Sequence, residues 1–237
     1  MDTYRLYGEL ITSNLYRFSN ENLEQVTVLN YYDNSEITIK LDKRYSVSKN
    51  ATLFFKKYNK LKSTLEIVSV QKKETQLELE YLESILFSIE NSNTYSDLEE
   101  IEKEMEESSI FQAHKKAISP KKQGICEPMN FEFQGFTILA GKNNKQNDLL
   151  TLKTANRNDL WFHTQKIQGS HVILKVENRP VPDEVIAFCA KIAKENSKAK
   201  NSSNVPVDYC KVKHIKKPSG AKPGMVIYKE FKTIIAK

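Results

Sequence analysis

The chain has 237 residues, of which 39% are hydrophobic and 28% are charged, and its formal net charge is +6. This length suits one or two domains. No apolar run approaches the ~18–20 residues that a membrane-spanning helix requires, which excludes a membrane-embedded chain. The first residues lack the basic and apolar regions of a signal peptide, so we expect a cytoplasmic location.

Charge is divided unevenly along the sequence. Residues 1–119 hold 15 Lys and Arg against 20 Asp and Glu, a net charge of −5. Residues 120–237 hold 21 Lys and Arg against 10 Asp and Glu, a net charge of +11. A basic region of this strength favours a polyanionic partner for the C-terminal half, although lysines that only aid solubility would give the same count.

Three elements are predicted before residue 91. Apolar residues at steps of three and four predict a helix over residues 3–18. Two alternating segments around Asp33-Asn34-Ser35 predict a β-hairpin over residues 25–41. A pattern free of Gly and Pro then predicts a helix from about Ser48 to about Glu90.

The apolar positions of the long helix alternate between steps of three and four, which is typical of a coiled-coil seam. The apolar seam positions are Ala51, Phe54, Tyr58, Leu61, Leu65, Val68, Leu79, Leu82, Leu86 and Ile89. The helix over residues 3–18 is too short to cover this seam. A helix from an upstream part of the protein is expected to cover it, and self-association of two chains is an alternative hypothesis.

A short acidic helix follows, and Ser96 with Glu99 fits a capping box at its start. Gly, Ser, Pro and Lys between Ile110 and Pro128 indicate a linker, so we predict a domain boundary near residue 125.

The second domain is predicted to contain several strands and one main helix, which begins at about Pro182. The predicted strands lie at residues 131–133, 136–139, 150–153, 160–163, 172–176, 205–212 and 225–228, with a turn at 141–148 and a basic loop at 216–224. The predicted fold class is therefore α+β. A long antiparallel coiled-coil arm with an inserted β-hairpin (residues 1–125) precedes a compact, strand-rich α+β domain (residues 126–237).

No group of residues indicates catalysis, a metal or a cofactor. Ser170 and His171 are adjacent in a predicted strand, so they point to opposite faces and cannot form a proton relay. The four histidines and three cysteines lack metal-ligand spacing, and the cysteines are expected to be reduced. We expect a binding protein rather than an enzyme.

The candidate RNA-binding residues are basic side chains, amides and histidines of the C-terminal half, because such groups suit phosphate and ribose oxygens. They are Lys142, Asn143, Asn144, Lys145, Asn147, Arg157, His163, His171, Lys198, Lys211, Lys213, Lys216, Lys217 and Lys222. Trp161, the single tryptophan, could stack on an unpaired base or belong to the core, and a structural role is favoured.

Three segments of the C-terminal half, GKNNKQND, NDLWFHTQKIQGSHV and VPVDYCKVKHIKKPSGAKPGMVIY, resemble the RNA-binding domain of the NFACT family. This family includes the bacterial RqcH and fibronectin-binding protein A-like ribosome quality-control factors. The segments RLYGELIT, NYYDN and FFKKYNKLK resemble its middle coiled-coil domain. The family's N-terminal domain has no evident counterpart, so we expect a C-terminal piece of a longer protein in which Met1 is not the natural start.

The resemblance implies a fragment of a factor that binds the obstructed large ribosomal subunit and tRNA and supports C-terminal alanine tailing of stalled chains. Ribosomal RNA, ribosomal proteins and tRNA are then the expected partners, without a membrane. Two alternatives stay open: a surface adhesin that binds fibronectin or fibrinogen, and a dimerising structural coiled coil whose basic domain is incidental.

Overall fold

The structure is a computed structural model that describes residues 1–18, 22–110 and 127–237. The chain divides into two compact units, Met1–Gln76 and Leu77–Lys237, and this division falls inside the long helix. The boundary predicted near residue 125, with most of the predicted linker, lies outside the described residues.

The first unit combines a helix and a hairpin. Helix α1 (Asp2–Ser13) ends in a 3₁₀ turn (Leu15–Arg17), and strands β1 (Gln25–Asn30) and β2 (Ser35–Lys40) pair in antiparallel register. Alternate residues of β1 are buried, as the alternating sequence predicts. The buried apolar residues of this unit are Leu10, Ile11, Val26, Val28, Ile39, Val47 and Ala51.

Helix α2 (Val47–Glu90) confirms the predicted long helix, which begins one residue earlier than expected. Its seam is only partly covered. Ala51 is buried, whereas the apolar seam positions from Leu61 onward are exposed, Leu65 by 60%. Nothing in the described parts of the chain covers these positions, so the second helix of the predicted antiparallel coiled coil is not among them.

Helix α3 (Tyr95–Glu107) opens on a capping box formed by Thr94 and Asp97. The Thr94 side chain accepts a hydrogen bond from the Asp97 amide, and the Asp97 carboxylate accepts one from the Thr94 amide. The predicted box of Ser96 and Glu99 is therefore wrong by two positions. Ile101 and Met105 of α3 pack with Tyr81 and Ile85 near the end of α2.

The C-terminal unit is built on a six-stranded antiparallel sheet. Its strands are β3 (Met129–Phe133), β4 (Phe136–Ala140), β5 (Leu160–Thr164), β6 (Val172–Leu174), β7 (Val205–Lys211) and β10 (Lys232–Ala236), in the spatial order β10-β7-β5-β6-β4-β3. Gln134 and Gly135 join β3 to β4 with positive φ angles of 49° and 73°, as a two-residue hairpin turn requires.

Both faces of this sheet are covered. Helix α5 (Asp183–Glu195) packs its apolar side on one face, against residues that include Phe162, Leu174 and Val207. The other face holds Trp161 and Ile173. It packs against Leu150, against Ile215 of the two-residue strand β8 (Ile215–Lys216), and against Tyr228 of β9 (Ile227–Tyr228).

Two predictions for this unit need correction. Residues expected to form a turn and a strand are helical instead: α4 (Asn144–Leu149) runs directly into a π-helical turn (Leu150–Thr154). Asn143 caps α4, since its side chain accepts a hydrogen bond from the Gln146 amide. Strands β8 and β10 were not predicted. Elsewhere the helix and strands agree with the prediction, and the α+β class is confirmed.

Candidate nucleic-acid interface

The amide-rich segment, residues 141–147, lies against helix α3. Asn143 and Gln146 each donate a hydrogen bond to Oε2 of Glu100, at 2.7 and 2.8 Å. Both amide side chains are buried. A carboxylate that accepts two neutral donors is well stabilised. These amides therefore position the segment on the acidic helix.

Asn144 joins this segment to helices α2 and α3. Its Nδ2 donates to Ser84 Oγ at 2.8 Å and to Glu104 Oε1 at 3.0 Å, and the Tyr81 hydroxyl donates to the same Glu104 oxygen at 2.9 Å. Glu104 is almost fully buried, and its Oε2 has no hydrogen-bond partner in the described chain. Burial raises the pKa of Glu104, although these two hydrogen bonds act in the opposite direction.

The lysines of the amide-rich segment are also paired with helix α3. Lys142 lies 3.5 Å from Asp97, and Lys145 lies 2.8 Å from Glu107. Both lysine side chains are about seven-tenths buried, being 31% and 28% exposed. Their charges are met by carboxylates of the same unit.

Trp161, His163 and His171 form an aromatic cluster in the interior. Trp161 is 1% exposed; its ring stacks on His163 at 5.6 Å and meets His171 edge-on at 5.1 Å. His171 is buried and bonds Thr151 Oγ1 at 2.8 Å. Burial lowers the pKa of His163 to about 4, and it lowers that of His171 well below the ordinary value. Both rings are therefore neutral at physiological pH.

These placements correct part of the predicted site. The side chains of Asn143, Asn144 and His171 are buried and bonded to protein groups. Asn147 is buried too, because its Oδ1 accepts from the His171 amide at 2.9 Å. His163 is neutral and packed on Trp161. These five side chains hold the fold together, and as placed they are not available to phosphates.

Two lysines of the basic loop contact other protein groups. Lys217 forms an ion pair with Asp148, whose other oxygen accepts from the Gly224 amide at 3.0 Å. Lys222 donates to the Ser108 carbonyl at 3.3 Å and lies over the Tyr81 ring at 5.5 Å. Lys217 is thus largely neutralised, whereas Lys222 keeps its charge at the surface.

Five exposed basic side chains on adjoining segments form a group that we call the basic strip. It consists of Arg157, Lys211, Lys213, Lys216 and Lys229. The Lys213 amide donates to the Arg157 carbonyl at 3.1 Å, and the Lys229 amide donates to the His214 carbonyl at 3.2 Å. These contacts bring three separate chain segments together. Lys198 is exposed as well, but it lies beyond α5, where its amide bonds Gln168.

The basic strip differs from the amide-rich segment because its charges are not neutralised by carboxylates of the described residues. None of its five members has a carboxylate within ion-pair distance in the described residues. His214 lies within the strip and faces Glu230 at 3.4 Å. Exposed, unpaired cations on adjoining segments can contact successive phosphates of a nucleic acid.

Two family models match consecutive parts of the chain. Residues 1–124 match the family described as NFACT N-terminal and middle domains, and residues 129–230 match the NFACT protein RNA binding domain. The chain belongs to the NFACT family. The resemblance inferred from the sequence segments is thereby confirmed. The basic strip lies within the NFACT RNA-binding domain.

Curated NFACT relatives extend well beyond this chain. The chain is 41% identical to the Rqc2 homolog RqcH of Bacillus subtilis over 98% of its own length and 40% of that relative. It is 37% identical to the same-named protein of Streptococcus suis over 97% of its length and 41% of that relative. A more distant similarity, 31% over 96 residues, joins it to coiled-coil domain-containing protein 25 of Mus musculus. The chain thus spans about two fifths of the RqcH relatives.

A solved structure supports the fold. It is the C-terminal of the fibronectin/fibrinogen-binding protein from Streptococcus suis, and it superposes with a TM-score of 0.70 at 36% sequence identity. The match covers 80% of this chain and 76% of that one.

Within residues 1–18, 22–110 and 127–237, no three His, Cys, Asp or Glu side chains are placed to hold a metal ion. No helix in these ranges is long and apolar enough to cross a membrane. Sequence reasoning missed Lys229, and it also missed Glu100 and Glu104 as partners of the amide-rich segment. The one signal in the sequence for Lys229 is its position, a few residues after the predicted basic loop at 216–224.

Proposed function

We propose that this chain is the RNA-contacting part of a ribosome-associated quality-control factor, and that the basic strip is its principal RNA contact. The observation that carries the proposal is the set of five exposed cations, without a carboxylate partner among the described residues, inside a domain that matches the NFACT protein RNA binding domain. Of the predicted contacts, Arg157, Lys211, Lys213 and Lys216 remain the core, and Lys198 and Lys222 are peripheral.

The chemistry of the strip suits the phosphate backbone more than base edges. Lysine supplies a flexible point charge, and it binds phosphates without reading sequence. Arg157 adds a planar donor group. We therefore expect affinity for structured RNA that depends on salt and only weakly on sequence.

In the intact protein, the partners of this surface are proposed to be the large ribosomal subunit and tRNA, during alanine tailing of stalled chains in the cytoplasm. The names of the RqcH relatives and the RNA-binding domain support this proposal. The chain itself is proposed to bind and position RNA without catalysing a reaction. Cosedimentation of the chain with purified large subunits that carry tRNA would test the partner.

The RNA contact is tested by replacing Lys211, Lys213 and Lys216 together with Ala in the complete chain. Affinity for tRNA should fall, and the slope of log affinity against log salt should flatten by up to ~3 units, about one for each lost phosphate contact.

A matched control removes the same charge elsewhere: Lys60, Lys62 and Lys72 are exposed on α2. Replacing these three with Ala should leave tRNA affinity nearly unchanged. Equal losses in both triple variants would mean that overall charge, and not the strip, determines binding. Circular dichroism of each variant checks that the fold is intact.

A second candidate function is binding of fibronectin or fibrinogen. The specific observation in its favour is the solved structure from Streptococcus suis, which carries that description. Immobilised fibronectin at physiological salt separates the two. Saturable capture of the chain that survives the strip substitutions would favour an adhesin. Capture that is lost with these substitutions would instead show that the strip attracts fibronectin through charge alone, as expected of a surface that binds polyanions.

A further inference from the structure

An exposed aromatic side chain lies beside the basic strip. Phe231 is 46% exposed, and Ile227, four residues earlier in the chain, is 53% exposed. Ile227 stands opposite Lys216 across the β8–β9 pair, so the two side chains share one face of that ribbon. Lys232 directly follows Phe231 in sequence, and Lys229 precedes it by two residues, with Glu230 between them. Exposed apolar side chains and two cations of the strip, Lys216 and Lys229, thus lie close together on this pair of segments.

The Phe231 ring packs on the half-buried Tyr228, which in turn packs on the buried Trp161. It meets the Tyr228 ring edge-on, with centroids 5.2 Å apart and an interplanar angle of 80°. Tyr228 lies against the Trp161 ring at 4.9 Å, and its hydroxyl donates to Asp208 at 2.8 Å. Because Trp161 and Asp208 are both about 1% exposed, this support is fixed in the core.

An exposed phenylalanine ring close to lysines is suited to a flat, anionic ligand. A nucleobase can stack on the ring while its phosphates contact the lysines, and stacking tolerates any base. In a regular duplex the bases are already stacked on each other, so only an unpaired base can reach the ring. Glu230 is the acidic group nearest in sequence, and it faces His214 at 3.4 Å.

We propose that Phe231 is a stacking platform for an unpaired nucleobase, and that it directs the basic strip towards single-stranded or looped RNA. This inference rests on the proposed function, since it concerns the same surface. Trp161 takes part only indirectly, because it holds Tyr228 and through it Phe231. The buried tryptophan and the exposed phenylalanine thus have separate roles.

The test compares a short oligouridine strand with a blunt RNA duplex of equal phosphate number, both bound to the complete chain. Phe231→Ala should weaken binding of the strand by about 5- to 150-fold, the range found for the loss of one base stack, and leave duplex binding unchanged. Phe231→Tyr should bind the strand like the original chain. Phe231→Leu keeps an apolar side chain without a π face, so it should lose affinity like Phe231→Ala.

Two control variants separate stacking from apolar surface. Ile235 is 53% exposed on β10, and Tyr95 is 75% exposed at the start of the acidic helix α3. Replacing either with Ala should change neither affinity. An unchanged melting temperature excludes misfolding of the Phe231 variants.

The outcomes are distinct from those of the proposed function. Equal loss of strand and duplex binding in Phe231→Ala, full binding by Phe231→Leu, or no loss at all would each overturn the stacking platform and leave RNA binding by the lysines intact. Absence of any RNA binding by the original chain would overturn both.

Discussion

Replacing Trp161 with Ala should destabilise the C-terminal unit severely and affect RNA binding only through that loss. Trp161 is 1% exposed and packs with Leu150, Ile173 and Cys210. A buried aromatic side chain removes roughly 150–250 Å² from water, which at ~25 cal/mol per Å² corresponds to about 4–6 kcal/mol. Alanine retains a small part of this area, so a loss of about 3–5 kcal/mol is expected, as found for Trp→Ala in other cores.

The assay is thermal unfolding followed by far-ultraviolet circular dichroism. For a unit of this size, each kcal/mol shifts Tm by roughly 2–4 °C, so the expected decrease is about 6–20 °C. Trp161 Nε1 has no hydrogen-bond partner among the described residues. Neither Trp161→Phe nor Trp161→Ala breaks a hydrogen bond of this ring, so their costs follow the buried area that each removes, and Trp161→Phe should cost much less because it keeps one aromatic ring.

The result that would refute this reasoning is a Trp161→Ala variant with an unchanged Tm and an RNA affinity reduced by about 1–3 kcal/mol. That outcome would mean that the tryptophan faces RNA rather than the core. Intact RNA affinity in Trp161→Phe, measured below its Tm, would agree with a structural role.

Three further predictions concern stability. Thr94→Ala should cost about 1 kcal/mol in urea unfolding, whereas Ser96→Ala should cost almost nothing; the reverse order would contradict the observed capping box. Because burial raises the pKa of Glu104 in the folded state, its contribution to stability is present below its ordinary value of 4.5 and is lost as the pH rises towards the folded-state pKa. The Tm of Glu104→Gln relative to the original chain should thus increase as the pH rises from about 4.5, and a difference independent of pH would contradict this. Gly169→Ala should cost about 1–3 kcal/mol, since the added Cβ would lie 2.8 Å from Cβ of Ser197; an unchanged denaturation midpoint would show that the two segments can separate.

The long helix and most strands could be predicted because their signals are local. Periodicity over the 44 residues of α2 leaves no alternative, and alternation defines β1 and β2. The start of α3 was harder, because Thr94 with Asp97 and Ser96 with Glu99 fit similar capping patterns two residues apart. The two patterns are distinguished only by the backbone, which is extended at Thr94 and helical from Tyr95.

The amide-rich segment shows where sequence reasoning fails. Asn and Gln are typical of solvated turns and of RNA contacts. Here their partners are Glu100 and Glu104, about forty residues earlier in the chain, which no local pattern reveals. Strand β10 was missed for a related reason, since its identity depends on pairing with β7. The exposure of Lys211, Lys213 and Lys216 agrees with the prediction, because lysine is rarely fully buried, whereas the ion pairs of Lys142 and Lys145 depend on the distant helix α3.

The pairing of the amide-rich segment with α3 affects how the protein should be divided into fragments. A fragment that starts after residue 126 would lack Tyr81, Glu100 and Glu104, so the amides of Asn143 and Asn144 would lose the carboxylates that they bind. Loss of function in such a fragment would then reflect a missing scaffold rather than a missing RNA contact. A fragment that starts at Leu77 keeps these partners together with the basic strip.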